Sequence, residues 1–147
     1  EAGVEIELVP GITAGTGVPS TLGIPLTHRG ISSNVVFVTG SENPGKENSA
    51  DWKNVAAIDT IVVYMGIKNL LYIVTKLTEA GRPQETPVAA IFGGTTSEEI
   101  VLEGTLQTIN EKVEQVETDA PGIVIIGDVV GFLNVDNGGA FMKELSI

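Results

Sequence analysis

Residues 9–29 read Val9-Pro10-Gly11-Ile12-Thr13-Ala14-Gly15-Thr16-Gly17-Val18-Pro19-Ser20-Thr21-Leu22-Gly23-Ile24-Pro25-Leu26-Thr27-His28-Arg29. Two periodicities meet in this run. Upstream, Val4, Ile6 and Leu8 alternate with polar positions, the pattern of a strand with one buried face, here Val4 to Val9. After the Pro-Gly turn, Thr13 to Leu22 reads as a short helix dense in small residues, which allow another backbone or a ligand to come close. Thr13 is placed to cap that helix, leaving N–H groups suited to an anionic or polar ligand. The run ends on the only histidine, His28, beside Arg29.

The same alternation of strand and helix continues along the chain. Val35 to Thr39, Thr60 to Tyr64, Pro87 to Phe92 and Gly122 to Gly127 are apolar runs bounded by turn residues, and read as buried strands. Glu99 to Glu103 alternates after the Gly93-Gly94 break, so it is expected to pair antiparallel with the strand before it. Asp51-Trp52 opens a short helix with its acid near the N-terminus. Asn69 to Ala80 is the clearest helix: Leu70, Ile73, Val74 and Leu77 share a face, and Gly81 follows as the C′ residue. Thr105 is expected to cap a further helix with Leu106, Ile109, Val113 and Val116 on its apolar face. Gly40 to Asn48 is polar and reads as a loop. Residues 1–133 form one α/β domain on this reading, and 134–147 a tail or linker.

Composition narrows the function. A chain of 147 residues with 42% hydrophobic content suits a single domain with a real core. There are no cysteines and one histidine, which excludes disulfides, thiolate metal sites and histidine-rich metal sites. A net charge of -11 argues against nucleic acid or anionic membranes as partners. No apolar stretch is long enough to span a bilayer and no secretory signal is visible, so a cytoplasmic location is expected. Glu98-Glu99 and the acidic stretch from Glu111 to Asp119 read as solvated faces. Gly93-Gly94-Thr95-Thr96 lacks the lysine and spacing of a phosphate loop.

As a string, the opening run resembles the start of the second half of uroporphyrinogen-III C-methyltransferases, members of the tetrapyrrole methylases. The Gly-Ile-Pro-Leu-Thr-His-Arg ending separates that branch from other tetrapyrrole methylases. The resemblance continues through Asp51-Trp52, Val63-Tyr64-Met65-Gly66, Gly81-Arg82, Thr86-Pro87-Val88-Ala89, Gly94-Thr95-Thr96, Gly104-Thr105-Leu106 and Gly127-Asp128-Val129-Val130. It reaches from about residue 4 to about residue 133. It implies a mixed five-stranded sheet flanked by helices, the C-terminal domain of such an enzyme.

The resemblance also implies a cofactor, S-adenosyl-L-methionine, held in a cleft between two α/β domains, with S-adenosyl-L-homocysteine as product. Thr13, Ala14, Met65 and Gly94 match positions that contact it. Each has a simpler alternative: a cap and packing residue for Thr13-Ala14, a core gap-filler for Met65, a hairpin turn for Gly94. The implied substrate, uroporphyrinogen III, carries acetate and propionate arms. Arg29, with His28, is the local positive feature suited to them, because a guanidinium binds carboxylates through two parallel hydrogen bonds. The alternative is an internal ion pair that orders the loop after Pro25.

The Gly-rich opening motif, the Gly-Gly-Asp-Pro segment and the proposed acid–base residues of the family belong to its first domain, and none occurs here. No catalytic residue is therefore assigned. Residue 1 falls where the second half of such an enzyme begins, so the expected partners are the N-terminal domain of the same chain and a second copy in a homodimer. The expected activity is C-methylation of uroporphyrinogen III to precorrin-2, serving sirohaem and cobalamin synthesis, as part of a full-length enzyme, with this stretch alone inactive. The alternatives are a non-catalytic dimerisation module and a methylase of a later precorrin. Leu26-Thr27-His28-Arg29 argues against the latter.

Overall fold

Alternating Val and Ile runs build the centre of the molecule, as a computed structural model of the chain shows; it describes residues 3–41 and 50–133. Five strands form one mixed sheet: β1 (Val35–Thr39), β2 (Thr60–Tyr64), β3 (Pro87–Phe92), β4 (Ile100–Thr105) and β5 (Gly122–Ile126). Their spatial order is β1-β2-β5-β3-β4. The β1–β2 pair is parallel, with Val35 opposite Thr60, and the other three pairs are antiparallel. The expected β3–β4 hairpin is present, with Phe92 opposite Ile100.

Strand periodicity divides the core in two. Ile61, Val63, Val88, Ala90, Val124 and Ile126 face one layer of helices. That layer holds α2 (Trp52–Val55), α3 (Leu70–Glu79) and α4 (Ile109–Glu114). Val62, Ala89, Ile91, Ile123 and Ile125 face the other side, under Val18, Leu22 and Ile24 and the turn at Val129-Val130. Helix α1 (Ala14–Thr21) lies on that second side.

The helix ends follow from local chemistry. The Asp51 side chain caps α2 by accepting from the Asn54 amide at 3.3 Å. Helix α3 ends in a Schellman turn: the Gly81 amide donates to the Thr78 carbonyl and the Arg82 amide to the Leu77 carbonyl, with Gly81 at φ +95°. That turn aims the Arg82 guanidinium at the loop before β2. There it donates to the carbonyls of Ala56, Ile58 and Asp59, tying two loops together. Burial pulls its pKa below the usual value, against the opposing pull of Asp128 and Asp59.

Three expectations are corrected or left aside. Val4 to Val9 forms no strand among the described residues; Val4, Ile6 and Leu8 are 74%, 80% and 92% exposed. Alternation fixes which face of a strand is apolar, but it does not supply a neighbour to pair with. Thr105 does not cap a helix. It ends β4 opposite Pro87, and Thr108 stands at the start of α4. The proposed tail over 134–147 and most of the loop after Gly40 lie outside the described residues.

Asp59 joins the starts of β1 and β2. Its carboxylate accepts from the Ser33 amide at 2.8 Å and the Ser33 hydroxyl at 2.9 Å, and these bonds hold it below the usual carboxylate range. A carboxylate whose pKa is lowered by folding stabilises the fold above its unfolded value, and that contribution is lost as pH falls through the folded value. Asp59→Asn is therefore expected to flatten the acid limb of stability below about pH 4, measured by urea unfolding at a series of pH values. Arg82→Ala strands three carbonyls and is expected to cost about 2 kcal/mol, read by the same unfolding at neutral pH.

Candidate functional site

The candidate site lies where β2 and β3 end. Tyr64 is the last residue of β2, and the chain then enters Met65 at φ +52°, a left-handed conformation uncommon for a side-chain-bearing residue. Met65 is 65% exposed. Two strands across, β3 ends at Phe92 opposite Gly122, and Gly93-Gly94 turns the chain towards β4. Helix α1 begins over the same end of the sheet. Ligands of open α/β sheets commonly sit at strand ends of this kind.

Two glycines let α1 come this close. A Cβ on Gly15 would stand 2.1 Å from Tyr64 Oη and 2.8 Å from Phe37 Cε1. A Cβ on Gly94 would stand 2.6 Å from Val18 Cγ2. Helix α1 is thus gripped at its start by the Tyr64–Phe37 pair and one turn later by the β3–β4 turn. At Gly94 the group that comes close is Val18 of α1.

The expected helix cap is absent. Thr13 occupies the N-cap position, yet its side chain accepts nothing from the helix. Its hydroxyl instead pairs with Tyr64 Oη at 2.6 Å, and the Gly15 amide donates to the same phenolic oxygen at 3.0 Å. At least one N–H expected to face a ligand is therefore used internally. Sequence reasoning misses Tyr64, which enters only as part of Val63-Tyr64-Met65-Gly66. Only the fold shows that this residue faces Gly15 of α1.

The structure brings Thr13, Ala14 and Gly94 to one cavity of about 660 Å³, together with Thr16, Val18 and Thr95. The size suits a small-molecule ligand, and the lining mixes apolar carbon with hydroxyls. Met65 lines a neighbouring cavity of about 530 Å³, with Lys68, Phe92, Asp119 and Gly122. Thr95 is itself left-handed, at φ +69°, and its amide donates to the Glu99 carboxylate at 2.8 Å. Glu99 thus closes the turn. The acidic positions from Glu111 to Asp119 are exposed on α4 and beyond it.

His28 and Arg29 lie elsewhere. His28 pairs with Ser32, and Ser32 Oγ stands 2.8 Å from Thr60 Oγ1 at the start of β2. Four residue steps along β2, roughly 13 Å, separate that end from Tyr64. Both side chains are exposed, and the His28 ring sits 4.6 Å from the Phe132 ring. Arg29 forms no salt bridge among the described residues, so the ion-pair alternative finds no support there. A third cavity, about 420 Å³, surrounds Arg82 at this same end. Its guanidinium is engaged by the three carbonyls described above.

The profile of the tetrapyrrole (corrin/porphyrin) methylases matches residues 1–110. This chain belongs to the tetrapyrrole methylase family. It is 46% identical over 134 residues to a uroporphyrinogen-III C-methyltransferase of Synechocystis, covering 90% of this chain and 51% of the relative. It is 44% identical to an S-adenosyl-L-methionine-dependent uroporphyrinogen III methyltransferase of Methanosarcina barkeri, covering 86% and 51%. The uroporphyrin-III C-methyltransferase of Thermus thermophilus, solved with S-adenosylhomocysteine, superposes with a TM-score of 0.71 at 31% identity over 88% of this chain and 55% of that one. The chain spans about half the length of these relatives. A cobalt precorrin-4 methyltransferase shares the fold at a TM-score of 0.77 and 18% identity.

Gly15→Ala is expected to displace the Tyr64 hydroxyl and to cost ~1–3 kcal/mol, as overpacked sites do. Gly17→Ala, whose added carbon meets only exposed Ile12 at 3.2 Å, is expected to gain up to ~1 kcal/mol from helix propensity. Thermal unfolding of the two variants checks the contrast.

Proposed function

We propose that this chain is one wall of a uroporphyrinogen-III C-methyltransferase that uses S-adenosyl-L-methionine and forms precorrin-2. The observation that carries this reading is the meeting of Thr13, Ala14 and Gly94 at one cavity, beside Met65, at the sheet end where α1 begins. The lining fits the cofactor in kind: hydroxyls of Thr13 and Thr16 for polar groups, with apolar carbon from Ile12 and Ala14 in the same cavity. When bound, the cofactor supplies an electrophilic methyl on sulfonium. That methyl would pass to a pyrrole carbon of the substrate, with S-adenosyl-L-homocysteine as the leaving group and a proton lost from the substrate. This chain holds and orients the donor and excludes water from its side of the cleft.

The facing wall is assigned to another α/β unit. Val4, Ile6 and Leu8 alternate with Glu5 and Glu7, all exposed and in no sheet among the described residues. Such a stretch is suited to pairing with a second sheet, either that of an N-terminal domain or that of a second copy in a homodimer. Arg29 is given the carboxylate arms of the substrate. On this reading Arg29, near the start of β2, meets the outer arms of the substrate and takes no part at the reacting carbon.

Two outcomes test this reading. The 147-residue chain alone is expected to bind S-adenosylhomocysteine with a Kd weaker than ~0.1 mM and to show no turnover; tight binding in calorimetry would refute the two-walled site. In a protein that carries both halves, Arg29→Ala is expected to raise KM for uroporphyrinogen III roughly tenfold, about 1.4 kcal/mol, with kcat little changed. Unchanged KM and kcat would remove Arg29 from substrate binding.

A further inference from the structure

The geometry points to Tyr64 as the positioning residue for the cofactor wall: its hydroxyl fixes Thr13-Ala14 against the strand end that carries Met65. This rests on the reading above, in which Thr13 and Ala14 contact the cofactor. Tyr64 Oη takes a hydrogen bond from the Gly15 amide at 3.0 Å and shares a second with Thr13 Oγ1 at 2.6 Å. Tyr64 immediately precedes Met65, so one residue pair couples the two halves of the contact set. Its ring is held by Phe37 of β1, with centroids 6.2 Å apart, and the missing Cβ of Gly15 leaves the hydroxyl its place.

The arrangement also sets the direction of the Thr13 hydroxyl. A threonine at an N-cap ordinarily turns its oxygen back to accept from the second or third amide of the helix. Tyr64 takes over the Gly15 amide and draws the Thr13 hydroxyl away from the helix. Loss of the phenolic oxygen leaves the Gly15 N–H and Thr13 Oγ1 as each other's nearest partners. Thr13 then rotates into an ordinary cap and leaves its position at the cavity wall. Tyr64 touches no ligand in this scheme and acts through Thr13.

The test compares the wild-type sequence, Tyr64→Phe, Thr13→Val and the double variant, each in a protein that carries both halves. Each is titrated to millimolar S-adenosylhomocysteine, with backbone amide shifts read by NMR so that weak binding is measurable. Tyr64→Phe is expected to weaken binding at least about fivefold, about 1 kcal/mol, to change the Thr13 χ1 couplings, and to keep the backbone shifts of β3 and β5. In the Thr13→Val background the same change is expected to have no further effect, because interacting residues are non-additive. Equal affinity of Tyr64→Phe and wild type, or additive losses in the double variant, would overturn the role of Tyr64. Absence of any shift at Thr13, Ala14, Met65 or Gly94 in wild type would instead overturn the cofactor reading beneath it. Gly15 amide exchange in the wild-type protein gives a measurement that needs no variant. Exchange as fast as an open amide would show that the Tyr64 bond is not kept in solution, and would also overturn the proposal.

Discussion

The close seating of α1 on the sheet governs how this domain can meet a ligand. A helix ordinarily packs on a sheet at a distance set by its side chains. Here Gly15 removes the side chain at the point of contact, and the phenol of Tyr64 takes its space. One turn later Val18 meets Gly94 in the same way. The first turn of α1, the end of β2 and the β3–β4 turn are thereby brought into one rim. Apolar burial beneath, through Val62, Ile91 and Ile125, fixes the height of the helix. Without those contacts, the hydroxyls and backbone edges at the rim would have no common frame.

Much of the fold was legible because its strands are buried on both sides. Thr60 to Tyr64 and Gly122 to Ile126 are nearly continuous Val and Ile runs, and helices cover both faces. The α3 boundary was legible because Gly81 allows the left-handed turn that ends it. Pairing was less legible than facing. Val4 to Val9 has the right period for a strand, but the hydrogen-bonding partner of a strand is not written in its own residues. Thr105 misled for a related reason. A threonine that ends a strand and one that starts a helix look alike when Thr108 lies three positions on.

The candidate site was legible in outline, through a resemblance that marked Thr13, Ala14, Met65 and Gly94 ahead of any geometry. Three of these share a cavity and the fourth lines another at the same end of the sheet. What the sequence could not carry was the hydrogen bond that joins them. Thr13 and Tyr64 are 51 positions apart, and a phenol at a strand end has no periodic signature. Nor could it separate His28-Arg29 from the rest of its own motif. Contiguous residues 13–29 climb across the sheet through α1, so the two ends of one motif finish at opposite ends of β2.

The unpaired stretch ahead of α1 has a colloidal consequence. Its exposed backbone and apolar row form an open template for a like strand from another molecule, the hazard that sheet edges carry in general. Glu5 and Glu7 interrupt the row and act as gatekeepers, and a net charge of -11 keeps molecules apart. Both protections are electrostatic and weaken as salt shortens the Debye length. The domain on its own is thus a polyelectrolyte whose solubility falls with ionic strength, and this exposed stretch sets the conditions under which the isolated domain stays dispersed.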